Sequence, residues 1–134
     1  MEAGSPKVLL IEDTKEVREV FSDFLDILGC DYSVASDGAQ GLAMLERSPY
    51  DLVITDLKMP GLGGLEVARA ARQRHPGIEV IVLSGSAGPE EREQINRLGL
   101  RYLGKPIMLH DFIAAVRIAQ TSGEASVARC PSIH

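Results

Sequence analysis

Five polar residues stand at the ends of short apolar segments, where they could act together on one group. Three are carboxylates, one is a hydroxyl and one is an ammonium: Glu12, Asp13, Asp56, Ser84 and Lys105. Each apolar segment has the length and continuity of a buried strand. If the segments are neighbouring parallel strands, their carboxyl ends meet at one edge of the sheet, where such folds place their sites. The five side chains are therefore expected to converge.

The expected cluster carries excess negative charge. Three neighbouring carboxylates raise one another's pKa unless a cation relieves the repulsion, and Lys105 supplies one positive charge. By formal counting about −2 remains, which one Mg²⁺ would neutralise. Oxygen ligands with room for water and phosphate suit Mg²⁺, and no nearby His or Cys in the sequence indicates zinc.

Asp56 is the candidate nucleophile of this cluster. As an acyl phosphate it would lose its own charge and bring about −2 on the phosphoryl oxygens, leaving about −1 with the metal bound. The cluster is therefore predicted to accept a phosphoryl group, with Lys105 and the metal neutralising the transferring oxygens. Taken singly, an Asp at a strand end is usually a turn or capping residue. The combination of all five residues favours a functional site over a turn or capping role for Asp56.

The elements that must position these residues alternate along the chain. Five strands are predicted at residues 7–12, 32–36, 51–56, 78–84 and 101–105. Amphipathic helices are predicted between and after them: one ends at Gly29, a weaker one carries Leu42 and Leu45, a third stops before Pro76, a fourth starts at Pro89, and a fifth carries Leu109 to Val116. This alternation predicts an α/β fold with a doubly wound parallel sheet covered on both faces.

Composition limits the class of protein. With 134 residues, of which 45% are hydrophobic and 25% charged, one globular domain is expected at residues 6–120, with flexible tails at 1–5 and 121–134. The net charge of −5 argues against binding to nucleic acid or to anionic membranes. Cys30 and Cys130 have no metal-ligand spacing, and no signal peptide or membrane span is recognisable. A reduced, cytoplasmic chain is predicted.

The chain resembles a response-regulator receiver domain of two-component signalling over roughly residues 6–120. The segments that carry the resemblance are "LLIED", "DLVITDLKMPGLGG", "VIVLSG" and "YLGKP". The resemblance implies a flavodoxin-like sandwich of three layers with strand order 2-1-3-4-5. It also implies that a sensor histidine kinase or a histidine phosphotransfer protein phosphorylates Asp56. Mg²⁺ would be held by Asp13, Asp56 and the backbone carbonyl of Lys58, with Glu12 acting largely through water.

The resemblance further implies how the signal leaves the site. Ser84 would hydrogen-bond the phosphoryl group and turn inward, and Tyr102 would follow into the vacated space. Helix four, strand five and helix five would present the changed surface to a protein partner, an output domain or a second copy. The domain would catalyse its own phosphotransfer and slow autodephosphorylation without being an enzyme in the ordinary sense. A cis peptide before Pro106 is also implied. Gly63 departs from the family pattern, because a capping side chain is common there.

Two alternatives remain at this stage. A phosphohydrolase of the haloacid dehalogenase kind also uses a strand-end Asp, a hydroxyl and a Lys, but its nucleophile lies on the first strand and is followed two residues later by a general acid. Here Lys58 stands at that second position. The other alternative is a docking module that works without phosphorylation. The sequence is also compatible with a stand-alone regulator and with a domain of a longer regulator or hybrid kinase.

Overall fold

Strands and helices alternate from one end of the described chain to the other. A computed structural model describes residues 6–128, with side chains as far as residue 119. The elements are β1 (Lys7–Ile11), α1 (Lys15–Leu28), β2 (Asp31–Ala35), α2 (Gly38–Arg47), β3 (Leu52–Asp56), α3 (Gly64–Arg74), β4 (Glu79–Ser84), α4 (Pro89–Arg97), β5 (Arg101–Gly104) and α5 (Leu109–Ala128). The strands pair in parallel in the order β2-β1-β3-β4-β5. The predicted doubly wound fold and strand order are confirmed.

The central strands are buried on both faces, which explains their continuous apolar runs. Alternate side chains enter two clusters on opposite sides of the sheet. Leu9 and Val53 pack with residues of α2, α3 and α4. Leu10 and Ile54 pack with residues of α1 and α5, among them Phe112. Full burial of each such side chain stabilises the fold by about 1.5–3 kcal/mol.

The ends of most helices lie where the sequence predicts them. Gly29 ends α1 in the left-handed region with φ of 73°, which glycine adopts without steric cost. Helix α3 ends at Arg74, before Pro76, and α4 begins at Pro89. Helix α5 differs, because it continues to Ala128 whereas the predicted domain ended at residue 120. The apolar period is lost after residue 120, but no proline interrupts the backbone before residue 131.

The predicted tail is thus helical over residues 121–128. Residues 1–5 and 129–134, also predicted to be flexible, lie outside the described part of the chain. No helix within residues 6–128 combines the length and the hydropathy that crossing a bilayer requires.

Arg72 fastens the C-terminal end of α4 to α3 and to the start of β4. Its guanidinium donates hydrogen bonds to three backbone carbonyls, those of Ile78 (2.8 Å), Leu98 (2.8 Å) and Gly99 (3.2 Å). Two of these carbonyls follow the last turn of α4, where helix carbonyls lack intrahelical partners. The planar fork of arginine allows one side chain to serve all three.

We therefore expect Arg72→Ala to lower the free energy of unfolding by about 2 kcal/mol, because hydrogen bonds from a charged donor are lost from a half-buried site. Arg74→Ala is the matched control, since it removes an exposed ion pair with Glu46 (2.7 Å) and should cost less than about 0.5 kcal/mol. Urea unfolding of both variants measures the difference. Equal stability of the two variants would contradict the role of Arg72.

Candidate functional site

The three acidic residues converge at the carboxyl edge of β1 and β3. The register pairs Ile11 with Thr55, so the residues that follow, Glu12 and Asp56, are neighbours across the two strands. One carboxylate oxygen from each of Glu12, Asp13 and Asp56 lies within 4.8 Å of the others. Glu12 and Asp56 are buried, whereas Asp13 is exposed. The site is thus buried at Glu12 and Asp56 and accessible to solvent at Asp13.

Lys105 brings its positive charge into this acidic cluster. Its Nζ lies 2.9 Å from Asp56 Oδ1 and 3.6 Å from Glu12 Oε1. Burial lowers the pKa of Lys105, but the hydrogen bond to Asp56 and the charges of Asp56 and Glu12 outweigh this and raise the pKa above its ordinary value. Lys105 is therefore an ammonium at neutral pH. The Lys105–Pro106 peptide bond is cis, as the resemblance implied.

Glu12 offers the clearest test of whether a cation fits. Burial raises the pKa of Glu12, and the charge of Asp56 adds to the rise, while a hydrogen bond from the Thr14 N–H (3.1 Å, to Oε2) and the charge of Lys105 oppose it. Within the described residues, the other oxygen, Oε1, is buried without a hydrogen-bond partner. A divalent cation beside this oxygen would favour the ionised carboxylate. A set of oxygen donors of this kind fits Mg²⁺.

The loop after Asp56 is held firmly against the rest of the fold. Leu57 and Met59 are buried, and the Leu57 N–H donates to the Leu83 carbonyl at 2.8 Å. The Gly64 N–H, at the start of α3, donates back to the Leu57 carbonyl at 2.8 Å. Gly61 turns the chain between them with φ of 78°. Asp56 therefore stands on a rigid strand end with a fixed turn behind it.

Ser84, the last residue of β4, is in contact with Tyr102 of the neighbouring strand β5. The register pairs Asp56 with Leu83, so the buried Ser84 follows directly at the edge of the sheet. Its Oγ accepts a hydrogen bond from the Ser86 N–H at 3.1 Å. The Tyr102 hydroxyl donates to the Ser84 backbone carbonyl at 3.2 Å. The two residues predicted to move together are thus joined by a direct hydrogen bond.

The Lys58 side chain extends away from the acidic cluster. Its ammonium lies 3.3 Å from both the backbone carbonyl and the hydroxyl of Ser86, and 3.8 Å from Glu91 Oε1 on α4. The side chain is 56% exposed. The ammonium of Lys58 therefore connects the loops after β3 and β4, whereas that of Lys105 contacts Asp56.

Two residues that contact the site region were missed in the sequence. Arg18 Nη1 donates to the backbone carbonyl of Glu12 at 2.8 Å, and Glu91 contacts both Lys58 and the N–H of Gly88. Arg18 stands three and seven residues before the buried Phe21 and Leu25, on one stripe of α1. A charged residue on an otherwise apolar stripe of a helix is a weak signal that the side chain has a polar partner, but it does not identify that partner.

The family model of the response regulator receiver domain matches residues 8–117. Among curated proteins, the chain is similar to the response regulator protein FleR of Pseudomonas aeruginosa, with 35% identity over 122 residues, covering 87% of this chain and 26% of that protein. It is also similar to the transcriptional regulatory protein QseB of Escherichia coli O157:H7, with 33% identity over 123 residues, covering 90% of this chain and 56% of that protein. The chain thus spans about a quarter of the length of FleR and about half of the length of QseB.

A solved structure shows the same fold. The response regulator receiver domain protein from Clostridium thermocellum is 29% identical and superposes with a TM-score of 0.84, covering 89% of this chain and 97% of that one. The family match over residues 8–117 includes all three residues of the acidic cluster.

Proposed function

Because this chain belongs to the response regulator receiver domain family, we propose that it is a phosphorylation-dependent signalling switch whose phosphoryl group is carried by Asp56. The donor is a phosphohistidine on a sensor histidine kinase or a histidine phosphotransfer protein. The observation that carries the proposal is the position of Asp56, in contact with the Lys105 ammonium at 2.9 Å and beside Glu12 and Asp13. We further propose a cytoplasmic location, as the sequence predicted.

The residues proposed to hold Mg²⁺ are Asp13, Asp56 and the backbone carbonyl of Lys58, with Glu12 acting through water. When bound there, the ion would neutralise charge on the phosphoryl oxygens. The support for this assignment is the group of three carboxylates within 4.8 Å and the buried oxygen of Glu12 that, within the described residues, accepts no hydrogen bond. Lys105 alone leaves the group with net negative charge, which a divalent cation would remove.

The transfer step needs little covalent chemistry from the protein. A carboxylate oxygen of Asp56 attacks phosphorus; a phosphorus–oxygen bond forms as the phosphorus–nitrogen bond to the donor histidine breaks, and the imidazole nitrogen keeps the electron pair. Lys105 is placed to hold Asp56 and to stabilise charge on the phosphoryl oxygens. Ser84 supplies a hydroxyl from the neighbouring strand end. Water later hydrolyses the acyl phosphate in slow autodephosphorylation.

The signal is proposed to leave through Ser84 and Tyr102. If the Ser84 hydroxyl turns toward a phosphoryl group, the hydrogen bond that it now accepts from the Ser86 N–H is broken. Tyr102, bonded to the Ser84 carbonyl and covered by the Arg92 guanidinium 5.0 Å from its ring centroid, links this change to α4 and β5. The face formed by α4, β5 and α5 would then bind a protein partner, an output domain or a second copy.

Covalent labelling tests the proposal. With acetyl phosphate and Mg²⁺, the wild-type protein should acquire one phosphoryl group, and Asp56→Asn should acquire none, because the amide is not a nucleophile of this kind. Asp51→Asn is the matched control, since Asp51 lies before β3 and accepts from the Lys7 N–H, outside the cluster; it should be labelled like wild type. Intact-protein mass spectrometry measures each outcome.

The same preparation separates the alternatives. Sustained release of phosphate from a generic phosphomonoester would favour a phosphohydrolase of the haloacid dehalogenase kind. Absence of labelling in the wild type would favour a docking module independent of phosphorylation. For the switch itself, gel filtration and partner binding should differ with and without beryllofluoride and Mg²⁺. Identical behaviour in both conditions would refute the signalling role of the α4-β5-α5 face.

A further inference from the structure

We propose that Arg18 is a positioning residue for the acidic pair, which holds the Glu12 backbone so that the Glu12 and Asp13 carboxylates face the metal site. The inference rests on the proposed function. It begins from one contact, the hydrogen bond of 2.8 Å from Arg18 Nη1 to the Glu12 carbonyl oxygen. Through this bond Arg18 holds the backbone of Glu12 and not its carboxylate.

The contact lies where the backbone leaves the sheet. Strand β1 ends at Ile11, and the Glu12 N–H still donates to the Ala35 carbonyl at 3.1 Å. The chain then turns away into α1, so the Glu12 carbonyl lies beyond the last residue of the strand. A carbonyl in a half-buried place is costly to leave without a donor. The Arg18 guanidinium provides that donor from the first turns of α1.

Arg18 also closes a small ring of hydrogen bonds around the acidic pair. The Thr14 N–H donates to Glu12 Oε2 at 3.1 Å, and the Arg18 N–H donates to the Thr14 carbonyl at 2.9 Å. Together with the bond from Arg18 Nη1 to the Glu12 carbonyl, these hydrogen bonds connect the two ends of the segment of residues 12 to 18. Asp13 lies inside this ring and is exposed. The position of its carboxylate therefore depends on the backbone that the ring fixes.

Charge and position have opposite effects on a bound cation, which makes the proposal testable. The guanidinium repels Mg²⁺, so removal of its charge alone would tighten Mg²⁺ binding. Loss of the hydrogen bond would loosen the backbone of Glu12 and weaken binding. Residues that orient metal ligands from outside the coordination shell typically change metal affinity by about 10-fold or more when they are replaced. We therefore expect the positional effect to exceed the charge effect.

The experiment is a titration of the full chain with Mg²⁺ by isothermal calorimetry. Arg18→Met keeps the length of the side chain and a high helix propensity, and it should weaken Mg²⁺ binding about 10-fold. Arg18→Lys keeps a charged donor and should restore part of the loss. Lys15→Met is the matched control: it removes an exposed positive charge from the first turn of the same helix and should leave the affinity unchanged or slightly tighter.

A purely structural role for Arg18 would lower the melting temperature and leave the Mg²⁺ affinity unchanged. The proposal is overturned if Arg18→Met binds Mg²⁺ as tightly as wild type or more tightly. Where that variant does not fold, the same result for Arg18→Ala, which also removes the donor to the Glu12 carbonyl, overturns it. Failure of the wild type itself to bind Mg²⁺ would instead refute the proposed metal site, so the two failures are distinguishable.

Discussion

Lys105→Met should slow covalent labelling by acetyl phosphate about 100-fold at saturating Mg²⁺, because it removes the ammonium that contacts Asp56 at 2.9 Å. Its role is electrostatic, since it opposes the charge that develops on the transferring oxygens.

The raised pKa of Lys105 also predicts how the labelling rate depends on pH. A group with a raised pKa in the folded state keeps its stabilising charge below its unfolded pKa and loses it only as pH rises through the folded value. Because Lys105 keeps its positive charge near neutral pH, the labelling rate should not fall there through loss of that charge.

Lys58→Met is the control for this prediction. It removes a cation two residues after Asp56, but the ammonium of Lys58 contacts Ser86 and Glu91, and its backbone carbonyl is retained. Its labelling rate should stay within about 10-fold of wild type, because exposed ion pairs contribute little. Rates are measured by quenching samples for mass spectrometry. Equal slowing in the two variants would show that Lys105 has no special contact with the transferring group.

Gly64→Ala should lower the free energy of unfolding by about 3 kcal/mol. A Cβ at residue 64 would overlap the backbone carbonyl of Asp56 and lie 2.9 Å from the Leu57 Cα. Backbone atoms cannot move aside as a flexible side chain can, so α3 or the end of β3 must shift. At the size of this domain the change corresponds to a fall in melting temperature of roughly 10 °C. Labelling of Asp56 should fall too, because its own backbone is displaced.

The adjacent Gly63 provides the matched control. A Cβ there would meet the Leu57 carbonyl oxygen at 3.4 Å and Glu66 Oε1 at 3.6 Å, which are ordinary contacts. Gly63 caps α3 with φ of −83°, and its N–H donates to Glu66 Oε1 at 2.8 Å, a bond that alanine keeps. Gly63→Ala should therefore change stability by no more than about 0.5 kcal/mol. Similar melting temperatures for the two variants would contradict the close packing assigned to Gly64.

The fold was predictable because local and long-range signals agree. Continuous apolar runs such as residues 80–83 require two covering layers, and the helical periods between them supply those layers. The end of α5 was not predictable by the same reasoning. Apolar periodicity reports contact with a core, and the backbone of residues 121–128 continues as a helix after that periodicity has ended.

The acidic cluster was predictable for a topological reason. Residues at the ends of adjacent parallel strands must meet at one edge, whatever the connections between them. The direction of a long side chain carries no such constraint. Lys105 and Lys58 both follow strand ends, yet one ammonium contacts Asp56 and the other contacts Ser86. Bonds from a side chain to a distant backbone carbonyl, such as that of Arg18 to Glu12, depend on the final turn geometry and leave little trace in sequence.

The most direct test of the central claim is to locate the modified residue. Wild-type protein is incubated with acetyl phosphate, with and without Mg²⁺, then reduced with borohydride and mapped by tandem mass spectrometry. We predict that the modification lies on Asp56 alone and requires Mg²⁺, because the cluster of Glu12, Asp13 and Asp56 needs a divalent cation to accept further negative charge. Modification of another acidic residue, or equal modification of Asp56 without Mg²⁺, would contradict this account.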